Sequence, residues 1–530
     1  MKRIFLVIPA VIAASLMFAA SNFTPQKKLN YAEQIIEGYY VDPVNTDSLV
    51  EVAIVSMLKN LDPHSSYTNA EETRELNEPL QGNFSGIGIQ FNMLTDTLYV
   101  VQTISGGPSE KVGILPGDRI IYAQDTLIAG VKMKNTRVMK MLRGPKGSSV
   151  NVKVLRNGSP ELIDFNIVRD DIPIYSIDAS YMAAPEVGYI RISRFAESTA
   201  KEMETALKQL QKQGMKHLII DLEDNGGGYL NAATDIADKF LKRGDLVVYT
   251  NGSHTMPSQY TTRTNGKYAD GRLVVMVNQY SASASEILSG AIQDHDRGVI
   301  VGRRTFGKGL VQRPFPFPDG SMIRLTIARY YTPSGRCIQK PYTAGGDDYN
   351  ADILNRYRHG ELTNADSVAQ LPDSLRFYTL ETMRPVYGGG GIMPDRFVPI
   401  DTTRYSDYYR DLVAKGVLYK YCTQYIDTHR DALKKQYKNE DDFVKRFSVT
   451  PEMLQQLQAM GEKDGVEFNE EQFETSRPLI LTNVKGLIGR DLYEQSTFYR
   501  IVNDESPTFR EALKIITDKA EYNKLLGRDD

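Results

Sequence analysis

The chain is poor in the residues that most often announce a chemistry. Of 530 residues none is tryptophan, only two are cysteine (Cys337 and Cys422) and six are histidine. Two cysteines cannot build a disulfide framework, and their spacing matches no zinc motif; whether they pair is open in the sequence. Missing tryptophan decides nothing about function. Neither sign of charge dominates: 63 Lys and Arg face 66 Asp and Glu, a formal charge of −3. Such a balance gives no electrostatic case for nucleic acid. No long internal repeat appears, and nothing calls for a metal or cofactor. With 41% apolar and 24% charged residues, the chain has the composition of a globular protein of several domains.

There is one long apolar run. Lys2 and Arg3 precede Ile4 to Ala20, 17 uncharged residues, and Ala19, Ala20 and Ser21 offer small residues for cleavage at its end. A short basic stretch before an apolar run reads as an export signal. It is also just long enough to remain as an anchor, which keeps membrane association open. With 1–28 read as signal peptide or anchor, the rest belongs outside the cytoplasm, in the periplasm or cell envelope.

Periodicity divides the remainder. Residues 29–80 carry apolar residues at helical spacing. Residues 81–170 are rich in glycine and strands; Val150, Val152 and Val154 alternate with polar residues as in a half-buried strand. From 171 to 400 strands and helices alternate, and the runs LVVYT, LVVMVN and GVIVG read as strands buried on both faces. That pattern is an α/β domain. It is interrupted by a polar, irregular insertion at 341–387. Residues 401–530 are charged and helical in pattern.

Three segments of the α/β domain carry candidate chemistry. Asn278 to Gly290, NQYSASASEILSG, closes a strand and opens a helix with small residues. Ser283 to Glu286 fits the capping box S-x-x-E, the plain reading. A strand–turn–helix also lifts the first helical residues to the sheet edge and aims N–H groups there, as nucleophile turns do. A nucleophilic serine needs a base. His295, twelve residues after Ser283, lies more than three turns of about 5.4 Å along the helix and is badly placed. His64, His217, His254, His359 and His429 show no supporting pattern. Lys308, between Gly307 and Gly309, is the other option. As a base it must be neutral, which burial among glycine backbone favours. In a strand, Gln312 would share its face and could hold the amine. The plain alternative for Lys308 is a solvated charge. The stretch GRRTFGKG also fits the first seven positions of a phosphate-binding loop. Its eighth is Gly309 where Ser or Thr is needed, and LVQRPFPFP cannot form the helix that should come after it. The third segment, DLEDNGGGYL (Asp221 to Leu230), ends a buried strand in three glycines. It is either a flexible turn or a loop whose N–H groups stabilise an oxyanion, and it lacks a dinucleotide fingerprint.

Together, SASASE and TFGKGLVQ, with Lys308 placed 25 positions after Ser283, resemble the carboxyl-terminal processing peptidases, or tail-specific proteases. LDPHSSY, FSGIGIQF, GPSEKVGILPGDRII, DLEDNGGGYL, YYTPSGRCIQ and GGIMPD match that family's motifs in consistent order over residues 30 to 400. The resemblance implies a mixed-sheet, crotonase-like α/β catalytic core with an inserted PDZ-like domain and helical N- and C-terminal regions. It implies an exported serine endopeptidase with Ser283 as nucleophile, Lys308 as general base and Gln312 orienting it. The oxyanion hole would come from the N–H of Ala284 and of Gly227 or Gly228. The PDZ domain would capture free C-termini of protein or peptide substrates, with Gly86, Ile87, Gly88 and Ile89 forming the nest and pocket. A homo-oligomer or an activator protein is left open as a further partner. Two departures stand out: Glu223 replaces the family's arginine and Gly226 its proline. The rival reading is a non-catalytic exported PDZ scaffold or chaperone on a degenerate protease core. The joint presence of Ser283, Lys308 and Gln312 argues against it.

Overall fold

The computed structural model describes residues 24–94, 96–342, 346–365 and 372–528. The N-terminal apolar run and its export reading lie outside them. The chain divides into two compact units, one of residues up to 70 with 314–325, the other of 71–313 with 326–530.

In the first unit, helix Pro25–Tyr39 starts at Thr24, whose side chain accepts from Lys27 N, with proline in the first turn. Helix Thr46–Lys59 is capped by Asn45. The LDPHSSY stretch is an Asx turn: Asp62 Oδ1 accepts from His64 N and Ser65 N, both at 2.8 Å. It delivers strand Ser66–Thr68, which pairs antiparallel with Met322 to Arg324.

The second unit contains the PDZ domain, an antiparallel sheet of Ile89–Leu94, Thr97–Thr103, Arg119–Ala123, Ser149–Leu155 and Ile163–Val168 with helices Pro108–Val112 and Asn135–Leu142. Val150, Val152 and Val154 all point into its core, at most 1% exposed. Strands Asn83–Gly86 and Asp170–Pro173 pair at its neck, so the domain enters and leaves the chain at one point. That is the geometry of an insertion.

The α/β core is a six-stranded sheet in the order Ile177–Ala184, Val187–Ile192, His217–Asp221, Leu273–Val277, Val299–Gly302, Arg396–Phe397. The first pair is antiparallel and the rest parallel. One face packs on helices Thr199–Lys212, Leu230–Ala237 and Ala284–Asp294 through Met203, Leu207, Ile236, Leu288 and Ile292. The other packs on helices Pro507–Thr517 and Lys519–Leu525 through Phe509, Ile515, Ile516 and Tyr522. Both faces are covered, which is why these strands read as unbroken apolar runs. A second sheet joins Leu246–Gly252, Thr255–Thr261 and the end of Met322–Tyr331.

Helices between Asp407 and Val502 form a separate cluster around Tyr421, Ile426, Phe443, Ile480 and Ile488. The region 401–530, read from sequence as one helical unit, is divided by its packing at about Ser506, and the two helices beyond that residue pack on the core sheet. The insertion 341–387, expected to be irregular, contains helix Gly346–Arg358 and the strand pair Arg376–Tyr378 with Pro385–Tyr387. Cys337 and Cys422 are unpaired thiols.

Candidate active site

The three alternating serines divide into two buried ties and one exposed side chain. Strand Leu273–Val277 ends at Asn278, and a tight turn comes next. Ser281, fully buried, accepts from Asn278 N (2.9 Å) and donates to Leu222 O (2.8 Å). Ser285, equally buried, donates to Asn225 O (2.9 Å). Both lash the serine turn to the glycine loop. Ser283 alone retains exposure, and its backbone sits at φ 57, ψ −112. A non-glycine residue there stores strain of order 1–3 kcal/mol. The surrounding bonds enforce it, and the side chain is thrust off the helix start.

Glu286 then does more than cap the helix. It is fully buried and accepts four bonds. Oε2 takes Ser283 N (2.8 Å) and Lys308 N (2.9 Å); Oε1 takes Gly307 N (2.7 Å) and Thr305 Oγ1 (2.6 Å). Burial raises its carboxyl above the usual range, while these four donors pull it back. Tyr330, on a strand and 1% exposed, shares its hydroxyl between Lys308 O (2.7 Å) and Ser283 O (3.1 Å). One carboxylate and one phenol thus bind the backbones of Ser283 and Lys308 from both ends. The Lys308 amine donates to Gln312 Oε1 at 2.9 Å.

The glycine loop closes the site. A Cβ on Gly227 would stand 2.8 Å from Ser283 Cβ and 3.0 Å from Ala284 N; on Gly228, at φ +147, it would lie 2.1 Å from Phe195 O. Only glycine fits either place. Asn225, fully buried, donates to Ile192 O (2.8 Å) and accepts from Gly227 N (2.9 Å). A Cβ on Gly226 would meet nothing within 4 Å.

Of the residues expected from sequence, the structure brings Gly227 against Ser283 and Ala284, ties Ser283 and Lys308 to the same Glu286 carboxylate, and joins Lys308 to Gln312; Gly228 comes next in the glycine loop. Gly86, Ile87, Gly88 and Ile89 lie in the PDZ domain. There Ile87 is 3% exposed and its carbonyl accepts from Ser109 N (3.0 Å) and Oγ (2.6 Å). Sequence reasoning gave no role to Tyr330 and Asn225, although both lie inside the quoted motifs YYTPSGRCIQ and DLEDNGGGYL, and saw Glu286 only as a cap. His295 is structural, with Nε2 2.7 Å from Leu246 O.

Glu223, where the resembling proteases carry arginine, accepts from Arg303 (3.3 Å) and from Thr508 Oγ1 (3.2 Å). Burial, then the negative Asp221, push its carboxyl up to about 7 against the pull of Arg303. A carboxyl raised by folding contributes stability at low pH and loses it as pH climbs through about 7. Glu223→Gln is therefore expected to gain in stability over wild type between about pH 5 and 7 and to hold that gain above. Urea unfolding across this range checks it. A variant less stable than wild type at pH 8 would mean that the Arg303 ion pair outweighs the burial.

Comparison with known proteins places families along the chain. The model of peptidase family S41 matches residues 186–345, that of the PDZ domain 85–167, that of the activating protease CtpB N-terminal domain 13–73, and a family of unknown function 408–494. The chain is 33% identical over 351 residues to a carboxy-terminal-processing protease of Bartonella bacilliformis, covering 64% of this chain and 80% of that one. It is 34% identical over 358 residues to carboxy-terminal processing protease CtpA of Bacillus subtilis, covering 64% and 75%. Among solved structures, the photosystem II D1 C-terminal processing protease is similar at 30% identity over 60% of this chain and 85% of that one, with a TM-score of 0.35. By the family model and these two sequence relatives the chain belongs to the carboxy-terminal-processing proteases of peptidase family S41 and is a serine-type peptidase.

Proposed function

We propose that this protease is exported, recognises the free C-terminal tail of protein substrates through its PDZ domain, and cleaves them by a Ser283/Lys308 acyl-enzyme mechanism. The observation that carries the reading is the double tie between the two residues: Glu286 accepts from both N–H groups and Tyr330 from its side donates toward both carbonyls.

In this reading Ser283 Oγ attacks the scissile carbonyl carbon as the Lys308 amine takes its proton. Gln312 Oε1 fixes the direction of the amine. The tetrahedral oxyanion is met by the N–H of Ala284, at the helix start, and by that of Gly228. Gly228 is preferred to Gly227 because the Gly227 N–H already donates to Asn225. The protonated amine passes its proton to the leaving nitrogen, and the C–N bond breaks. Water, deprotonated by the same amine, then hydrolyses the Ser283 ester. The PDZ segment Ser85 to Ile89 would hold the tail carboxylate.

The test is the full chain with a loosely folded reporter ending in an apolar tail, offered with a free and with an amidated C-terminus. Products are tracked by mass spectrometry. Cleavage of the free form at about tenfold or greater advantage is expected. Equal cleavage of both would overturn tail recognition. Binding without any cleavage would favour a scaffold instead.

A further inference from the structure

The S41 match ends at residue 345, just before helix Gly346–Arg358. That helix lies against the segment that carries Lys308. Arg304 to Gly309 form no regular secondary structure, so their backbone groups must find partners elsewhere. The N–H groups of Gly307 and Lys308 go to the Glu286 carboxylate. Three carbonyls of the stretch go to one guanidinium. Arg356 donates to Thr305 O (2.8 Å), Phe306 O (3.3 Å) and Arg304 O (3.4 Å). Its side chain is 3% exposed, and its charge is balanced by Asp352 at 2.9 Å. The loop is therefore stretched between a buried anion at its N–H side and a buried cation at its C=O side.

Other contacts from the same insertion act alongside. Glu361 takes both Nε and Nη2 of Arg304 (2.6 and 2.7 Å). The Tyr349 ring meets Phe306 edge-on at 6.0 Å. Lys340 Nζ sits 4.1 and 4.0 Å from those two ring centres and donates to Asp352 (3.1 Å). These contacts hold the side chains of the Lys308 loop, while Arg356 serves the carbonyls of Arg304, Thr305 and Phe306.

We propose that Arg356, on the inserted helix, is a positioning residue for catalysis: it fixes the backbone of Arg304 to Gly309 and so holds the Lys308 amine in line with Ser283. This rests on the Ser283/Lys308 reading above. Without the guanidinium, three loop carbonyls lose their donor, the loop relaxes toward solvent, and the amine drifts from its place. A misplacement of about 1 Å costs on the order of 100-fold in rate. An amine that gains solvent is also more readily protonated.

The experiment measures kcat, KM and the pH profile of kcat with a short peptide substrate for full-length wild type, Arg356→Met, Asp352→Asn and Lys308→Ala, with thermal unfolding of each. Arg356→Met is expected to lose kcat by roughly 10- to 100-fold with KM nearly unchanged, and the acidic limb of its profile to move to higher pH. Wild-type kcat and an unmoved profile in a folded Arg356→Met would overturn the proposal. If that variant does not fold, Asp352→Asn decides. It keeps the guanidinium and removes the counter-charge that Arg356 shares with Lys340, and is expected to lose kcat a few-fold with the same shift of the limb; an unmoved limb would overturn the proposal. Lys308→Ala separates the two claims. Full activity there removes the base assignment itself, whereas an inactive Lys308→Ala beside an unaffected Arg356→Met removes only the positioning role.

Discussion

Lys308→Ala is expected to lower cleavage by a factor on the order of 10⁴ or more while leaving the protein folded. The loss should be that large because, among the described residues of this unit, other candidate bases are already engaged. His295 is tied to Leu246 O, and His217 Nδ1 accepts from Arg272 N. Lys340 donates to Tyr349 O and Asp352. The fold should survive because Lys308 contributes to it through its backbone: its N–H goes to Glu286 and its carbonyl to Tyr330, and alanine keeps both. Lys308→Arg should fail equally, since a guanidinium cannot be neutral in a protein. Rates by mass spectrometry and melting temperatures of the same preparations check this. A folded Lys308→Ala variant cutting within tenfold of wild type would refute the assignment.

Removal of residues 507–530 is expected to destroy the catalytic core, although the segment lies more than 100 residues beyond the last family motif. Phe509, Ala512, Ile515, Ile516, Tyr522 and Leu526 are all at most 4% exposed. They cover Tyr189, Ile219, Val274, Met276, Val299 and Val301, each no more than 1% exposed. Burying a large apolar side chain contributes about 1.5–3 kcal/mol. Stripping this face therefore forfeits more than the whole stability of an ordinary domain, about 5–15 kcal/mol. Polar ties go as well: Arg272 Nε donates to Ile516 O (2.6 Å), and Leu273 N to Tyr522 Oη (3.1 Å). Near-ultraviolet circular dichroism and limited proteolysis should find the truncated chain without fixed tertiary structure. A cooperative transition at the wild-type temperature would contradict the packing account.

These two cases mark what the sequence could and could not tell. The α/β core, the PDZ insertion and the residues of the site were legible because each leaves a local trace. Buried strands leave apolar runs, Gly227 and Gly228 mark close backbone approach, and Ser283 with Lys308 and Gln312 sit at family spacing. The role of the last two helices was not legible. Their 3.6-residue pattern tells that one face is apolar, not which surface that face meets. Glu286 shows the same limit. S-x-x-E reads as a capping box whether or not the carboxylate also holds a distant loop, and only the fold brings Thr305, Gly307 and Lys308 to it. Tyr330 opens the motif YYTPSGRCIQ, but nothing in the motif tells that its hydroxyl reaches two distant carbonyls. The insertion looked irregular because its helix is polar, and its partners are loop carbonyls rather than an apolar surface.

The most direct test of the account is covalent trapping of the nucleophile. The full chain and its Lys308→Ala variant would be treated with a fluorophosphonate, which phosphonylates a serine only when its hydroxyl is activated, and the modified peptide mapped by mass spectrometry. The account predicts one adduct, on Ser283, formed by wild type and absent from Lys308→Ala over the same time. An adduct on another serine, or equal labelling of Ser283 in both proteins, would contradict it.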